Sequence, residues 1–192
     1  MPETPLPPDI YDFAAVAAPT LEFVFRIRIF FTERMRFQPT TPNGGRVYVS
    51  PSGGDISGPR LQGRVVPYSG ADWARGHSDG AAELNAHYML EASDGTPIYI
   101  NNRGFLYGRD ETGKPVRNTA QMANQTETGP DRTTRWTIAP DTYFICIPAF
   151  DAPVGPHDWL TRSVIVGRGT RVPSPDHPVF DYFVVNPPKR WA

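Results

Sequence analysis

AELNAHYMLEASDGTPIYINNRGF, residues 82–105, is the stretch that decides the fold. Leu84, Ala86, Tyr88 and Leu90 alternate with Glu83, Asn85, His87 and Glu91. That period of two belongs to a strand with two unlike faces. A second β-favouring run, PIYINNRGF (97–105), follows Asp94-Gly95. Asp-Gly between two such runs signals a β-hairpin, so Asp94 is read as a turn residue and not as a catalytic one.

Working outward, the same rhythm recurs. In LEFVFRIRIFF (21–31), Leu21, Phe23, Phe25, Ile27, Ile29 and Phe31 share one face, with Glu22, Arg26 and Arg28 on the other. RVYVS (46–50) and the glycine-broken ISGPRLQGRVV (56–66) precede the hairpin. TRWTIA (134–139), TYFICIPAF (142–150), LTRSVIVG (160–167) and VFDYFVV (179–185) follow it. About nine short strands with Gly/Pro turns and no strand–helix–strand rhythm predict an all-β sandwich or closed barrel. Two segments lie outside this pattern. Residues 1–18 read as a proline-rich arm to the 19–192 domain, and residues 108–131 read as a long polar loop.

Composition supports one domain. The 192 residues suffice for a single core, and 22 prolines, about twice the usual share of about 5%, disfavour long helices. With 19 basic against 20 acidic residues, no field favours nucleic acid or an anionic membrane. No segment approaches the roughly 20 apolar residues of a membrane span, and the first residues lack the pattern of a secretory signal. A soluble, cytoplasmic protein is expected. Exposed strand edges or apolar outer faces would allow homo-oligomers, though no feature demands them.

The chemistry-bearing residues are few. Asp72 and Trp73 follow Ser69-Gly70-Ala71 in a glycine loop; a carboxyl beside a large aromatic is a candidate general acid or base if it is partly buried. It is equally the kind of residue that caps a loop. Glu83, Asn85 and His87 share one strand face and Tyr88 the other, so only one of these sets points inward. Arg103 is a candidate for stabilising an enolate, with Asn101 alternating beside it on the next strand. Tyr143 and Trp159 are candidate walls or rim of a pocket. The single cysteine, Cys146, lies in an apolar run and reads as a buried structural thiol. The four histidines, 77, 87, 157 and 177, show no metal-binding spacing, and no phosphate loop, dinucleotide fingerprint or nucleophile elbow is present. No metal and no cofactor are expected.

GPRLQG, SGADW, SDGAAELNAHYMLEASDGTPIYINNRG, YFICIPAF and WLTRSVIVGRG, taken together, resemble the bacterial and fungal family called domain of unknown function 3237, from about Leu21 to Val185. The resemblance implies a single antiparallel, calycin-like β-barrel of about 8–10 strands with a central cavity. It implies no established reaction. Three positions depart from the family's usual pattern. Ile145-Cys146 stands where Arg-Thr is frequent, Phe150-Asp151-Ala152 where Phe-Glu-Thr is common, and Thr161 where Asn is usual.

These readings lead to a cofactor-independent enzyme acting on a small, largely apolar metabolite by isomerisation, cyclisation, or addition and elimination of water. Asp72, Tyr88 and Arg103 are the expected catalytic residues, with Trp73, Glu83, Asn85, Asn101, Tyr143 and Trp159 expected to contact substrate. A non-catalytic carrier of a hydrophobic small molecule is the alternative, and a side-chain-filled structural barrel a third reading.

Overall fold

The computed structural model describes residues 17–41, 44–77, 81–109, 112, 115–116, 142–173 and 175–188. The strands are β1 (Thr20–Thr41), β2 (Gly44–Ser57), β3 (Gly63–Val65), β4 (Ala71–Asp72), β5 (Arg75–Gly76), β6 (Ala82–Ala92), β7 (Pro97–Arg109), β8 (Pro115–Val116), β9 (Tyr143–Asp151), β10 (Ile165–Pro173) and β11 (Asp176–Asn186). One helical turn, α1 (Trp159–Arg162), precedes β10. Among the described residues no helix is long and apolar enough to cross a membrane.

The sheet closes on itself. β2 pairs with β1, β1 with β11, β11 with β10, β10 with β9, β9 with β7, and β7 with β6. β3, β4 and β5 each bridge β6 back to β2, so three short strands share one stave. The result is an antiparallel β-barrel. Where a strand pairs on both sides, as β1 does over Arg26–Arg28, closure leaves no free edge to template aggregation.

Side chains divide by face. Phe25, Ile27, Ile29, Tyr88, Leu90, Ile98, Ile100, Phe144, Phe150, Phe180 and Tyr182 fill the interior. On the outer face Arg26 pairs with Asp181, Arg28 with Asp55 and Arg64 with Glu91, each across neighbouring strands. Such exposed pairs stabilise little individually, but they oppose a one-residue register slip, which would turn every charge inward.

β1 shows where simple alternation fails. Phe23 pairs with Phe183 and Phe25 with Tyr182, so the register shifts between them. Val24 and Phe25 together oppose one residue, a β-bulge. Leu21 and Phe23, expected on the same face as Phe25, are therefore 60% and 40% exposed, while Val24 is buried. β1 and β2 also run further than the sequence pattern suggested. Leu160–Arg162, expected at the start of a strand, instead sit in α1, where Leu160 is buried. The hairpin forms as expected: Gly95 takes φ +86° and Asp94 Oδ1 accepts the Thr96 N–H at 3.0 Å. Residues 1–16, most of the polar 108–131 segment and the 134–139 run lie outside the described residues.

Interior aromatic rings lie flat over glycines. A Cβ on Gly169 would stand 2.5 Å from the Phe144 ring, which itself packs edge-on against Phe180 with centroids 5.1 Å apart. Gly169→Ala should cost about 1–2 kcal/mol through overpacking. Urea unfolding would check it, and an unchanged midpoint would show that Phe144 has room to move.

Candidate functional site

The loop SGADW (69–73) is built from the backbone outward. Ser69 Oγ donates to the Val66 carbonyl at 2.7 Å and accepts the Met89 N–H at 2.9 Å. Ser50 Oγ donates to the Gly70 carbonyl at 2.8 Å. These bonds lay β4 against β6, where Asp72 pairs with Ala86 and, on the other side, with Val49. Directly opposed residues share a face, and Val49 and Ala86 belong to the inner one. Asp72 therefore points into the barrel, and Trp73 points out.

Asp72 is 9% exposed. Its Oδ1 accepts the Asn85 N–H at 3.0 Å. Burial raises its carboxyl pKa to about 6, and the Asn85 bond offsets only part of that rise. Desolvation disfavours the charged form, so this carboxyl exchanges its proton close to neutral pH.

Four more polar groups share the interior: Tyr88 on β6, Asn102 on β7, Cys146 on β9 and Tyr182 on β11. All are buried, Tyr182 and Cys146 completely. Cross-strand pairing brings them round the barrel wall: Ala86 opposes Asn102, and Gly104 opposes Cys146, which opposes Gly167, which opposes Tyr182. Burial pushes the Cys146 thiol up to about 12; Asn102 eases its ionisation and the Asp72 charge opposes it. Burial likewise holds both tyrosines well above their ordinary range. Tyr88 also feels Cys146, Tyr182 and Asp72. The mutual influence marks one cluster. At working pH the phenols and thiol keep their protons, and Asp72 is the member that titrates.

The cluster is under-bonded. Among the described residues, Tyr88 Oη, Tyr182 Oη and Asn102 Oδ1 are enclosed without a hydrogen-bond partner. Tyr182 and Tyr88 meet as a side-chain hydrogen-bonding pair that acts on the acidity of both, yet neither hydroxyl gains a full partner from the contact. Buried polar groups are nearly always satisfied, so three orphans in one place suit a ligand-binding interior. Aromatic rings surround them: Phe25 lies 4.9 Å from Tyr182 between centroids, and Phe150 lies 6.3 Å from it.

The remaining sequence candidates fall elsewhere. Glu83 is on the outer face, 3.4 Å from His77 Nε2 and 3.8 Å from Arg103 Nη2. Asn85 Oδ1 meets His87 Nε2 at 2.9 Å, also outside. Arg103 is exposed, because β7 turns Asn102 and Gly104 inward and Asn101 and Arg103 outward. Trp73, 45% exposed, packs on Tyr48 at 4.7 Å. Tyr143 stacks on Tyr107 at 4.7 Å on the outer parity of β9. Trp159, in α1, meets Phe25 edge-on at 6.3 Å and carries the Arg60 guanidinium over its ring at 3.9 Å. The structure thus gathers Asp72 and Tyr88, with Trp159 reaching the same aromatic group. Arg103, Trp73, Glu83, Asn85, Asn101 and Tyr143 are not brought to it. The sequence reading did not single out Asn102 and Tyr182 and gave Cys146 only a structural part. One signal for Tyr182 was present: Asp181 must face water, which turns Phe180 and Tyr182 inward.

A ring of strands around this cluster is shared with known proteins. Residues 19–185 match the family described as "Protein of unknown function (DUF3237)". The chain belongs to this family. A UPF0311 protein of Clostridium acetobutylicum is 25% identical over 163 residues, 84% of this chain and 92% of its own length. A crystal structure of a beta-barrel like protein from Acinetobacter baumannii superposes with a TM-score of 0.67 at 24% identity, covering 96% of this chain and all of that one. A crystal structure described as an enzyme from Penicillium herquei shares the fold with a TM-score of 0.60 at 17% identity, covering 89% of this chain and 97% of that one. Within the DUF3237 pattern, the departures noted above divide by face. Ile145, Asp151 and Thr161 lie away from the interior, whereas Cys146 lines it and Ala152 packs against it. A missing cation at 145 or amide at 161 therefore does not alter the cluster.

Proposed function

We propose that this DUF3237 protein is a cofactor-independent enzyme that moves a proton on a small, largely apolar metabolite: an isomerase, a cyclase, or a hydro-lyase. The observation that carries the reading is Asp72, an inward carboxyl whose pKa is raised to about 6 in an apolar interior. A proton donor or acceptor works best when its pKa lies near the working pH, and buried carboxyls are tuned this way at catalytic sites. Tyr88 supports it as a protonated donor for negative charge developing on substrate oxygen. Such reactions redistribute protons within the substrate or exchange one water, so they need no external electron carrier. The barrel is also used by the Penicillium herquei protein described as an enzyme.

The test incubates wild-type and Asp72→Asn protein with a small-molecule extract and follows it by mass spectrometry. Conversion by wild type alone, at constant mass or with a change of one water, supports the reading. Conversion by both would remove Asp72 from the mechanism. Retention of one compound by both without conversion would make the protein a carrier, which the aromatic interior also suits.

A further inference from the structure

We propose that the ligand of this interior is an uncharged hydroxy-carbonyl compound. Its carbonyl oxygen is held between the hydroxyls of Tyr88 and Tyr182, and its hydroxyl donates to Asn102 Oδ1. This assignment rests on the reading of the interior as a binding site, but not on catalysis within it.

Hydrogen-bond donors and acceptors in this interior are left over on the protein side. Of the six buried unpartnered side-chain atoms among the described residues, the three in this cluster are not chemically alike: two are phenols with an O–H to give, and one is an amide oxygen with lone pairs to fill. Asn102 turns toward the Cys146 sulfur and assists its ionisation, which leaves Oδ1 as the unmet end. The two phenols adjoin closely enough for Tyr182 to act on Tyr88 as a side-chain hydrogen-bond partner, but the contact leaves both hydroxyls unsatisfied, and both remain protonated. One oxygen with two lone pairs can accept from both. A carbonyl does so without itself requiring a donor, and a hydroxyl elsewhere on the same molecule satisfies Asn102.

Charge excludes the main alternatives. Burial and the Asn85 amide are what act on Asp72, and no cation figures among its influences. A carboxylate or phosphate would thus add an uncompensated negative charge beside a carboxyl that ionises above pH 6, in surroundings where unpaired charge is costly. Arg171, on the same strand as Gly167, is four residues further along, a rise of about 13 Å. An ammonium would pair with Asp72 and Asn102 but would leave both phenol protons unused. The walls, Phe25, Phe150 and Tyr182, offer flat apolar surface and match a ring-bearing or branched hydrocarbon frame.

The probe is 3-hydroxyacetophenone, titrated calorimetrically into the full chain at pH 7.5 beside acetophenone, 3-hydroxybenzoate and 3-hydroxybenzylamine. The hydroxy-ketone should bind saturably. Acetophenone, which lacks the donor for Asn102, should bind about tenfold more weakly, one hydrogen bond's worth, and the two charged probes more weakly again. Tyr88→Phe and Tyr182→Phe should each weaken the hydroxy-ketone about tenfold. With a 13C-labelled carbonyl, the infrared carbonyl band should be red-shifted in wild type. It should step back toward its free position in each variant, a change that a merely structural role would not produce.

Three results would overturn the assignment: equal or tighter binding of either charged probe, unchanged affinity and band position in both Phe variants, or no saturable binding of any probe. Binding as expected with no metabolite converted would keep the ligand class and end the catalytic reading. Asp72-dependent conversion of a charged metabolite would do the reverse.

Discussion

Asp72→Asn is expected to abolish turnover, by at least about a hundredfold for loss of an acid or base, while making the folded protein more stable at neutral pH. The stability gain follows from the direction of the pKa shift. The Asp72 carboxyl rises from its ordinary value of 3.8 to about 6 on folding, so between those values the folded chain binds more protons than the unfolded one. Stability then falls as pH rises through that window. At about 1.4 kcal/mol per unit, the loss above pH 6 is about 2–3 kcal/mol.

Asparagine carries no charge, retains an oxygen for the Asn85 N–H, and escapes this loss. Denaturant unfolding should give nearly equal stabilities for the two proteins at pH 4 and a clear advantage to the variant at pH 7.5. A wild type that is equally stable at both pH values would mean that the carboxyl is solvated and not tuned. The pH profile of wild-type turnover then assigns the role: activity that climbs through about pH 6 makes Asp72 a base, and activity that falls there makes it an acid.

That a protein would carry such a burden shows why parts of this site could be read in the chain and parts could not. The 82–105 hairpin was legible because its alternation and its Asp-Gly turn are local. Asp72 was legible as an oddity, a charged residue between alanine and tryptophan just after a glycine. Which face of β6 turns inward was not, because Glu83/Asn85/His87 and Leu84/Ala86/Tyr88 are both plausible walls until β7 and β4 are docked on either side. Once Tyr88 is inward, pairing propagates that parity: Asn102 goes in and its neighbours Asn101 and Arg103 go out. Arg103 lies away from the interior cluster for this geometric reason, not for want of suitable chemistry. The bulge at Val24 is a second case. It inverts the exposure of Leu21 and Phe23 relative to Phe25, and nothing in LEFVFRIRIFF marks where the extra residue falls. Tyr182 needs closure of β11 onto both β10 and β1, a contact between chain ends.

The other large effect is expected from one added methyl group. A Cβ on Gly70 would stand 1.8 Å from the His87 carbonyl oxygen, 2.8 Å from its carbon and 3.0 Å from the Tyr88 Cα. All three are backbone atoms of β6, which is held on its far side along the whole register with β7 and cannot retreat. In Gly70→Ala the 69–73 segment must lift instead. That strains the Ser69 and Ser50 hydroxyl bonds and the Asp72–Asn85 bond together. Overpacking plus lost hydrogen bonds should cost about 3 kcal/mol or more, a fall of roughly 6–12 °C in Tm for a chain of this size. Lifting also returns Asp72 toward water, so its carboxyl should titrate near the ordinary value of about 3.9 instead of about 6. Carboxyl 13C shifts followed with pH would show this directly. A variant that loses stability but keeps the raised titration would place the origin of the shift in the barrel interior alone. If the titration falls with the stability, the close approach of Gly70 to β6 is what holds the acid in place.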